Sequence, residues 1–552
     1  SNRFSHDYGI AKWKAITQLV HSVLPNARVG ANFAPLTYHV DTRDNRQFCL
    51  SYMGSEYEWI RPFREGGLSL PWGEDWVWQS PMGTQQMTTL LLDVFRAGLR
   101  GAPAPKQGGL PPIMWYVMSH FPGNTAKSWR RQFFGSLAHG MKMVNLFDMD
   151  TSQSGYTCDY VDADGGHYEA ARTAIAELGA MDDIVHAGKA FGGDATPKIA
   201  ILYSETADIW YDHNATAGAA KRALYIALRH AQLPVDIVSE KDLVAGKVPY
   251  QVLYVADRHL SKAATAALSK WVNGGGHLVA TAEAGYYDEV NAGNTAMRTL
   301  LGITPENPVS APEPIQFIKQ DLAFSPALDS VNLTVGPNTS AVVGAYGLVT
   351  PFVASSTANI TATFSSGKPA ASSLLVGKGV ASYVGFYPGL SYFYPAMPIR
   401  PVDRGSTDTT FNHWIPTNFS LPAKDFIVLP ALSRGVVPPV NCSESLVESG
   451  LLDAGAIGTA IPLINWSAGP VRALNLTLNL PTLKFKTARL ASGGDVTTAQ
   501  LSDGPCNNTH GTAGTAHYGP HSSTNATPGP RPHHNALLIN DPCSLGTVTS
   551  TV

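Results

Sequence analysis

Cysteine is scarce in this chain: five residues in 552, with none between Cys158 and Cys442. No CxxC pair and no zinc-type spacing occurs. A thiol nucleophile is therefore excluded from the whole middle of the chain. No apolar run reaches the roughly 18 residues that a membrane-spanning helix needs. A formal net charge of −3 argues against a nucleic-acid binder or a polybasic membrane protein. Carboxylates are missing from Leu110 to Lys142. The start, Ser1-Asn2-Arg3-Phe4, lacks a signal-peptide pattern and reads as the middle of a domain, so the expectation is a fragment or processed product.

What is present is length for three or four domains, 552 residues at about 150 each, and an apolar fraction of 44%, enough for a large core. Asn-x-Ser/Thr sequons fall at Asn214, Asn332, Asn338, Asn359, Asn418, Asn441, Asn465, Asn475, Asn507 and Asn525, none in the first 200 residues. Chance is one source, because Ser and Thr are abundant. Their density favours a secreted or cell-surface eukaryotic glycoprotein. Odd cysteine number leaves one thiol over if the rest bridge. Cys506 with Cys543, and Cys49 with Cys158, are conceivable pairs that sequence alone does not fix.

Hydrophobic periodicity organises the first 190 residues as βα units. Ile10, Trp13, Ile16, Val20 and Val23 recur at helical spacing up to Pro25. Strands are expected at Arg28–Phe33, Leu68–Trp72, Ile113–Met118 and Met143–Phe147, with helices at 84–97, 128–139 and 168–186. Four such units make half of a (β/α)8 barrel. Half a barrel leaves an apolar sheet edge, so the other half belongs to a missing segment or another chain. Residues 196–435 alternate strands at Lys198–Tyr203, Val235–Val238, Val252–Val255 and His277–Ala280 with helices, the signature of a parallel sheet. A Ser/Thr/Val-rich insertion spans about 310–365. Residues 436–492 alternate apolar and polar positions and read as a small antiparallel sandwich. Residues 493–552, rich in Gly, Thr, His, Asn and Pro, read as a loose glycosylated tail.

The strand and helix order from Pro197 to Glu289 resembles a class I glutamine amidotransferase-like (flavodoxin-like) domain without its cysteine. With the returning pair around Gly367-Lys368-Pro369-Ala370 and Gly377-Lys378-Gly379, it is similar to the middle, trimerisation domain of family 42 β-galactosidases. Gly389-Leu390-Ser391-Tyr392-Phe393 and Ile464-Asn465-Trp466-Ser467 fit the later domains of that family. The fold expected is thus a barrel portion, an amidotransferase-like α/β domain and a β-sandwich. The resemblance implies a carbohydrate partner, a homo-oligomer or larger extracellular assembly, no cofactor, and a retaining hydrolase with two carboxylates about 5–5.5 Å apart.

In that family the nucleophile lies in a Met-Glu-Gln-x-Pro-Gly type run. The matching run here is Met118-Ser119-His120-Phe121-Pro122-Gly123, with Ser119 in the glutamate's place. A serine cannot stabilise an oxocarbenium-like charge as a carboxylate does. Ser5-His6-Asp7-Tyr8-Gly9 echoes the acid/base run Ser-Asn-Glu-Tyr-Gly; a helix N-cap by Ser5 or Asp7 is the plainer reading. The best local carboxylates are Glu74 and Asp75, in Leu70-Pro71-Trp72-Gly73-Glu74-Asp75-Trp76. They follow a strand, where barrel active sites collect. Trp72, Trp76 and Trp115 supply faces for pyranose rings, and Asn32 and His120 can bind hydroxyls. The competing reading is a packed loop whose acids are solvated or paired to Arg61 or Arg64. His139 reads as helix packing, His533-His534 as tail composition, and Asp403-Arg404 as a surface pair.

Overall fold

The computed structural model describes residues 2–33, 59–74, 86–103, 112–119, 125–147, 166–210, 215–311, 326–336, 339–396, 416–467, 469–471, 473–482, 487–491, 498–499, 536–540 and 549–551. The chain forms two compact units. One comprises 1–111, 197–231 and 235–436; the other comprises 112–196, 232–234 and 437–552.

The first unit is built on a nine-stranded sheet. From edge to edge its strands are Thr339–Ala345, Asp329–Gly336, Asn359–Phe364, Pro369–Val376, Gly379–Val384, His277–Ala280, Val252–Val255, Ile199–Tyr203 and Val235–Ser239. Every residue of Ile199–Tyr203, Val235–Ser239, Val252–Val255 and His277–Ala280 is buried, as expected of central parallel strands covered on both faces. The chain reverses order where Ile199–Tyr203 pairs with both Val235–Ser239 and Val252–Val255. Such a reversal marks a doubly wound sheet. Gly379–Val384 pairs in parallel with His277–Ala280 and antiparallel with Pro369–Val376. The Ser/Thr/Val-rich insertion therefore extends the parallel core as antiparallel strands.

Local signals explain the helices. Ser261 Oγ accepts from Ala264 N at 3.1 Å and starts Lys262–Asn273. Ser239 and Asp242 form a reciprocal capping box on Glu240–Val244. Gly389, in Pro388–Phe393, lets that helix lie on Ala215–His230: a Cβ there would sit 2.4 Å from Leu224 N. One sheet face, with Leu253, Val255, Leu278, Ala280, Ala381 and Tyr383, packs into a core with Leu268, Met297 and Leu301. Residues 1–111 join this unit through polar contacts. Asp93, fully buried, accepts from Tyr225 Oη at 2.8 Å and pairs with Arg96 at 2.7 Å. His230 contacts Gln86 Oε1 at 2.7 Å and Tyr392 Oη at 2.6 Å.

The second unit holds the parallel pair Ile113–Tyr116 and Met141–Asn145, the helices Ala126–Ala138 and Gly166–Gly179, and two antiparallel sheets. One sheet joins Val440–Cys442, Asn475–Leu478, Thr549–Thr551 and Thr498–Ala499. The other joins Thr487–Leu490, Ala536–Asn540, Thr459–Asn465, Leu452–Asp453 and Lys189–Ala190, with Val447–Ser449 also on Thr459–Asn465. The sequence suggested loose order after 493. Instead Ala536–Asn540 is a paired strand, because its apolar run Ala-Leu-Leu-Ile matches both Thr459–Asn465 and Thr487–Leu490. The single helix expected at 168–186 is two, Gly166–Gly179 and Asp182–Ala187.

Candidate functional site

In the first unit Gly30–Phe33 and Leu70–Gly73 pair in parallel, Asn32 opposite Trp72. The pair is tight because Gly30 has no side chain; a Cβ would meet Leu70 O at 2.7 Å. Phe33 packs among Trp59, Phe63 and Phe95, with ring centroids 5.3, 5.7 and 5.4 Å away. Strand alternation then puts Asn32, Trp72 and Glu74 on the opposite face. There Asn32 Nδ2 donates to Glu74 Oε1, and Glu74 N donates to Phe33 O at 3.3 Å. Three of the residues singled out from sequence are thus together at the C-terminal ends of two adjacent parallel strands, all half-buried. A carboxylate and an amide side by side can accept and donate to sugar hydroxyls.

Arg61 and Arg64 are engaged with other acids. Arg61 donates to Asp7 and Glu65 at 2.9 Å and to Glu205 at 2.8 Å. Arg64 pairs with Asp242 at 2.8 Å. Asp7 corrects both sequence readings: the helix starts at Asn2, so Asp7 lies within it, neither capping it nor ending a strand. Of these Arg61 partners Glu65 lies four residues on, but Asp7 and Glu205 lie 54 and 144 residues away, beyond any local signal.

In the second unit Ser119 follows Ile113–Tyr116 and is fully buried, as are Val117 and Trp115. Val117 N donates to Asn145 O at 3.1 Å, extending the parallel pair past the strand's end. Trp115 was expected to offer a ring to sugar. With no exposed surface it is a core residue, and the half-exposed alternate positions are Met114 and Tyr116. Tyr116 meets Phe147 edge-on at 5.9 Å. His139, expected as helix packing, ends its helix and contacts Glu448 Oε1 at 3.0 Å.

Three residues past His277–Ala280, Glu283 is in the left-handed region at φ 57°. Burial pushes its carboxyl up, against the pull of Arg258 at 3.0 Å. A carboxylate paired to a guanidinium is no thiol nucleophile. Among the described residues no group of three or more His, Cys, Asp or Glu side chains is arranged to hold a metal ion, and no helix is long and apolar enough to cross a membrane.

Six sequons are described. Asn332, Asn359, Asn418 and Asn441 are exposed; Asn465 and Asn475 are half-buried. Asp75, Trp76, His120, Asn214, Asn338, Asn507, Asn525, Asp403, Arg404, His533, His534 and the cysteines 49, 158, 506 and 543 lie outside the described residues. The fifth cysteine, Cys442, is buried in its strand.

The first unit is a doubly wound domain with an antiparallel extension; the second combines a parallel βα pair with antiparallel sheets. Residues 198–394 match the family described as the β-galactosidase trimerisation domain. Solved structures agree. A β-galactosidase from Bacillus circulans sp. alkalophilus is similar at TM-score 0.60 and 12% identity, over 100% of this chain and 67% of that one. A catalytic mutant of a family 42 β-galactosidase from G. stearothermophilus is similar at TM-score 0.58 and 14% identity, over 100% and 67%. The enzyme from Halorubrum lacusprofundi is similar at TM-score 0.57 and 14%, over 99% and 68%. No curated protein matches. Residues 198–394 thus match a β-galactosidase trimerisation domain, and the fold of the chain, with its barrel portion and β-domain, is similar to that of family 42 β-galactosidases.

Proposed function

We propose that this chain belongs to a secreted or cell-surface glycoprotein that binds carbohydrate on a β-galactosidase-like fold whose catalytic residues are degenerate. The observation that carries the reading is Ser119: it stands where the resemblance puts the nucleophile, is fully buried, and has no carboxylate near it in sequence from Leu110 to Lys142. Without a carboxylate nucleophile neither the glycosyl ester nor the charged transition state is stabilised. Asn32 and Glu74 remain as hydroxyl partners, with Trp72 beside them and Asp75, Trp76 and His120 following in sequence. A homo-oligomer is part of the proposal, by way of the trimerisation-type domain.

The purified protein is expected to hydrolyse aryl β-galactosides about 10⁴-fold or more below a family enzyme. Galactose or a related sugar should still protect it against thermal unfolding, and Glu74→Gln should weaken that protection. Robust turnover that Glu74→Gln or Asp75→Asn abolishes would instead establish an active hydrolase with a relocated carboxylate. A protein with neither turnover nor sugar protection would leave a structural glycoprotein of the extracellular matrix or cell surface as the reading.

Secretion has its own check. In a glycosylating host, glycopeptide mass spectrometry should find glycans on the exposed Asn332, Asn359, Asn418 and Asn441. Asn465 should stay bare, because its Nδ2 donates to Gly469 O at 2.9 Å while its Oδ1 accepts from Ser467. Occupancy at Asn465 with none at the exposed four would sink the assignment.

A further inference from the structure

The trimerisation-type domain contains a cavity of about 190 Å³, roofed by the helix Leu421–Ser433 and floored by the sheet. Register fixes what the floor presents. Tyr254 pairs with Val279, Val279 with Ser382, and Ser382 with Ser373. With the two-residue alternation of strands, His277, Val279 and Thr281 share that face. The roof adds Phe426, Ile427 and Leu429. Most of the wall is therefore apolar, and among the described residues His277 is the one lining group besides the phenols of Tyr383 and Tyr254 that titrates, Tyr254 donating to Ile427 O at 2.8 Å.

A polar row crosses this apolar space. His277 Nε2 contacts Ser382 Oγ at 3.0 Å, and Ser382 Oγ contacts Ser373 Oγ at 2.9 Å. Beyond that row, His277 Nδ1 and Thr281 Oγ1 are buried without a hydrogen-bond partner among the described residues, in residues only 6% and 2% exposed. Buried polar atoms are nearly always satisfied, since leaving one unmade costs about 1–3 kcal/mol. Two such atoms on one wall of one cavity make a built recognition element. Burial, helped by Arg434, holds the imidazole neutral at physiological pH, with its pKa down at about 4. A neutral ring nitrogen and a hydroxyl suit a neutral ligand, and among the described residues no Asp, Glu, Lys or Arg lines the cavity to offset the lost hydration of an ionised one.

Size narrows the class. An apolar cavity of about 150 Å³ holds benzene, and drug-sized sites start at about 300 Å³. We propose that this cavity is a binding site for an uncharged one-ring alcohol of the phenol or benzyl alcohol class, its ring against Phe426 and Val279 and its hydroxyl on Thr281. The site is independent of the carbohydrate reading, since none of its residues is shared with Asn32, Trp72 or Glu74.

The test uses the whole protein with phenol, benzyl alcohol, toluene and galactose, read by ligand-observed NMR and by the unfolding temperature. Saturable binding of phenol or benzyl alcohol is expected, with toluene at least tenfold weaker and galactose without competition. Thr281→Val, nearly equal in volume, should weaken the alcohols about tenfold and leave toluene unchanged. Val279→Phe, which fills the cavity, should abolish all binding. No saturable binding of either alcohol to the unaltered protein overturns the proposal, as does binding that survives Val279→Phe. Toluene equal to phenol overturns the role of the polar row.

Discussion

Replacing Glu448 with alanine is expected to destabilise the second unit by about 3–5 kcal/mol, the largest single-residue effect anticipated here. Glu448 is on Val447–Ser449 and, like His139, has a fully buried side chain. Its Oε1 meets His139 Nε2 at 3.0 Å, and its Oε2 accepts from Trp466 Nε1 at 2.8 Å. Phe191 seals the far side of the imidazole at 5.1 Å. Alanine removes the carboxyl that His139 and Trp466 bond and opens a cavity, so desolvation and packing losses add. Glu448→Gln keeps the volume and the acceptor and should cost distinctly less. Equilibrium urea unfolding measures both, with the midpoint shifting at constant slope. An alanine variant within 1 kcal/mol of the parent would show that the triad carries no net weight.

The second large effect is a pH dependence centred on His277. Its pKa lies at about 4 in the folded chain, with burial as the main cause and Arg434 adding to it; an unfolded histidine titrates near 6.5. Between those values the unfolded chain holds a proton that the native one lacks. By linkage, stability is full above about pH 6.5 and falls as pH drops toward 4, by roughly 3 kcal/mol from this group. His277→Gln should remove that part of the slope, a result that denaturant titrations at pH 7, 6, 5 and 4.5 would show. Identical slopes in parent and variant would mean that the imidazole is not held neutral.

Much of the fold was legible because its signals are local. The run Ile199–Tyr203 is apolar throughout and bounded by polar residues, as a strand buried on both faces must be. Gly275, at φ 125°, sits in the Gly274–Gly276 turn that the sequence marks before His277–Ala280. What stayed hidden depends on distant partners. Trp115 alternates as a strand residue should, yet alternation does not say which face is dry. Ala536–Asn540 is a strand only because two others pair with it, and the polar composition around it masks that signal. The half-site Asn32 with Glu74 was readable as two strand ends; their direct contact follows from register, which the sequence does not print.

The order of strands in the nine-stranded sheet also bears on how the chain is made. Ile199–Tyr203, Val235–Ser239, Val252–Val255 and His277–Ala280 leave the ribosome together, but the strand that completes the open side of His277–Ala280 is Gly379–Val384, about a hundred residues later. At about 5–20 residues per second, the nascent sheet waits several seconds or more with unpaired amides along that edge. Such an edge is a template for another nascent chain. Translation speed across 281–378 therefore becomes a determinant of yield, and a chaperone that shields this edge during synthesis is the helper that production of the protein would call for.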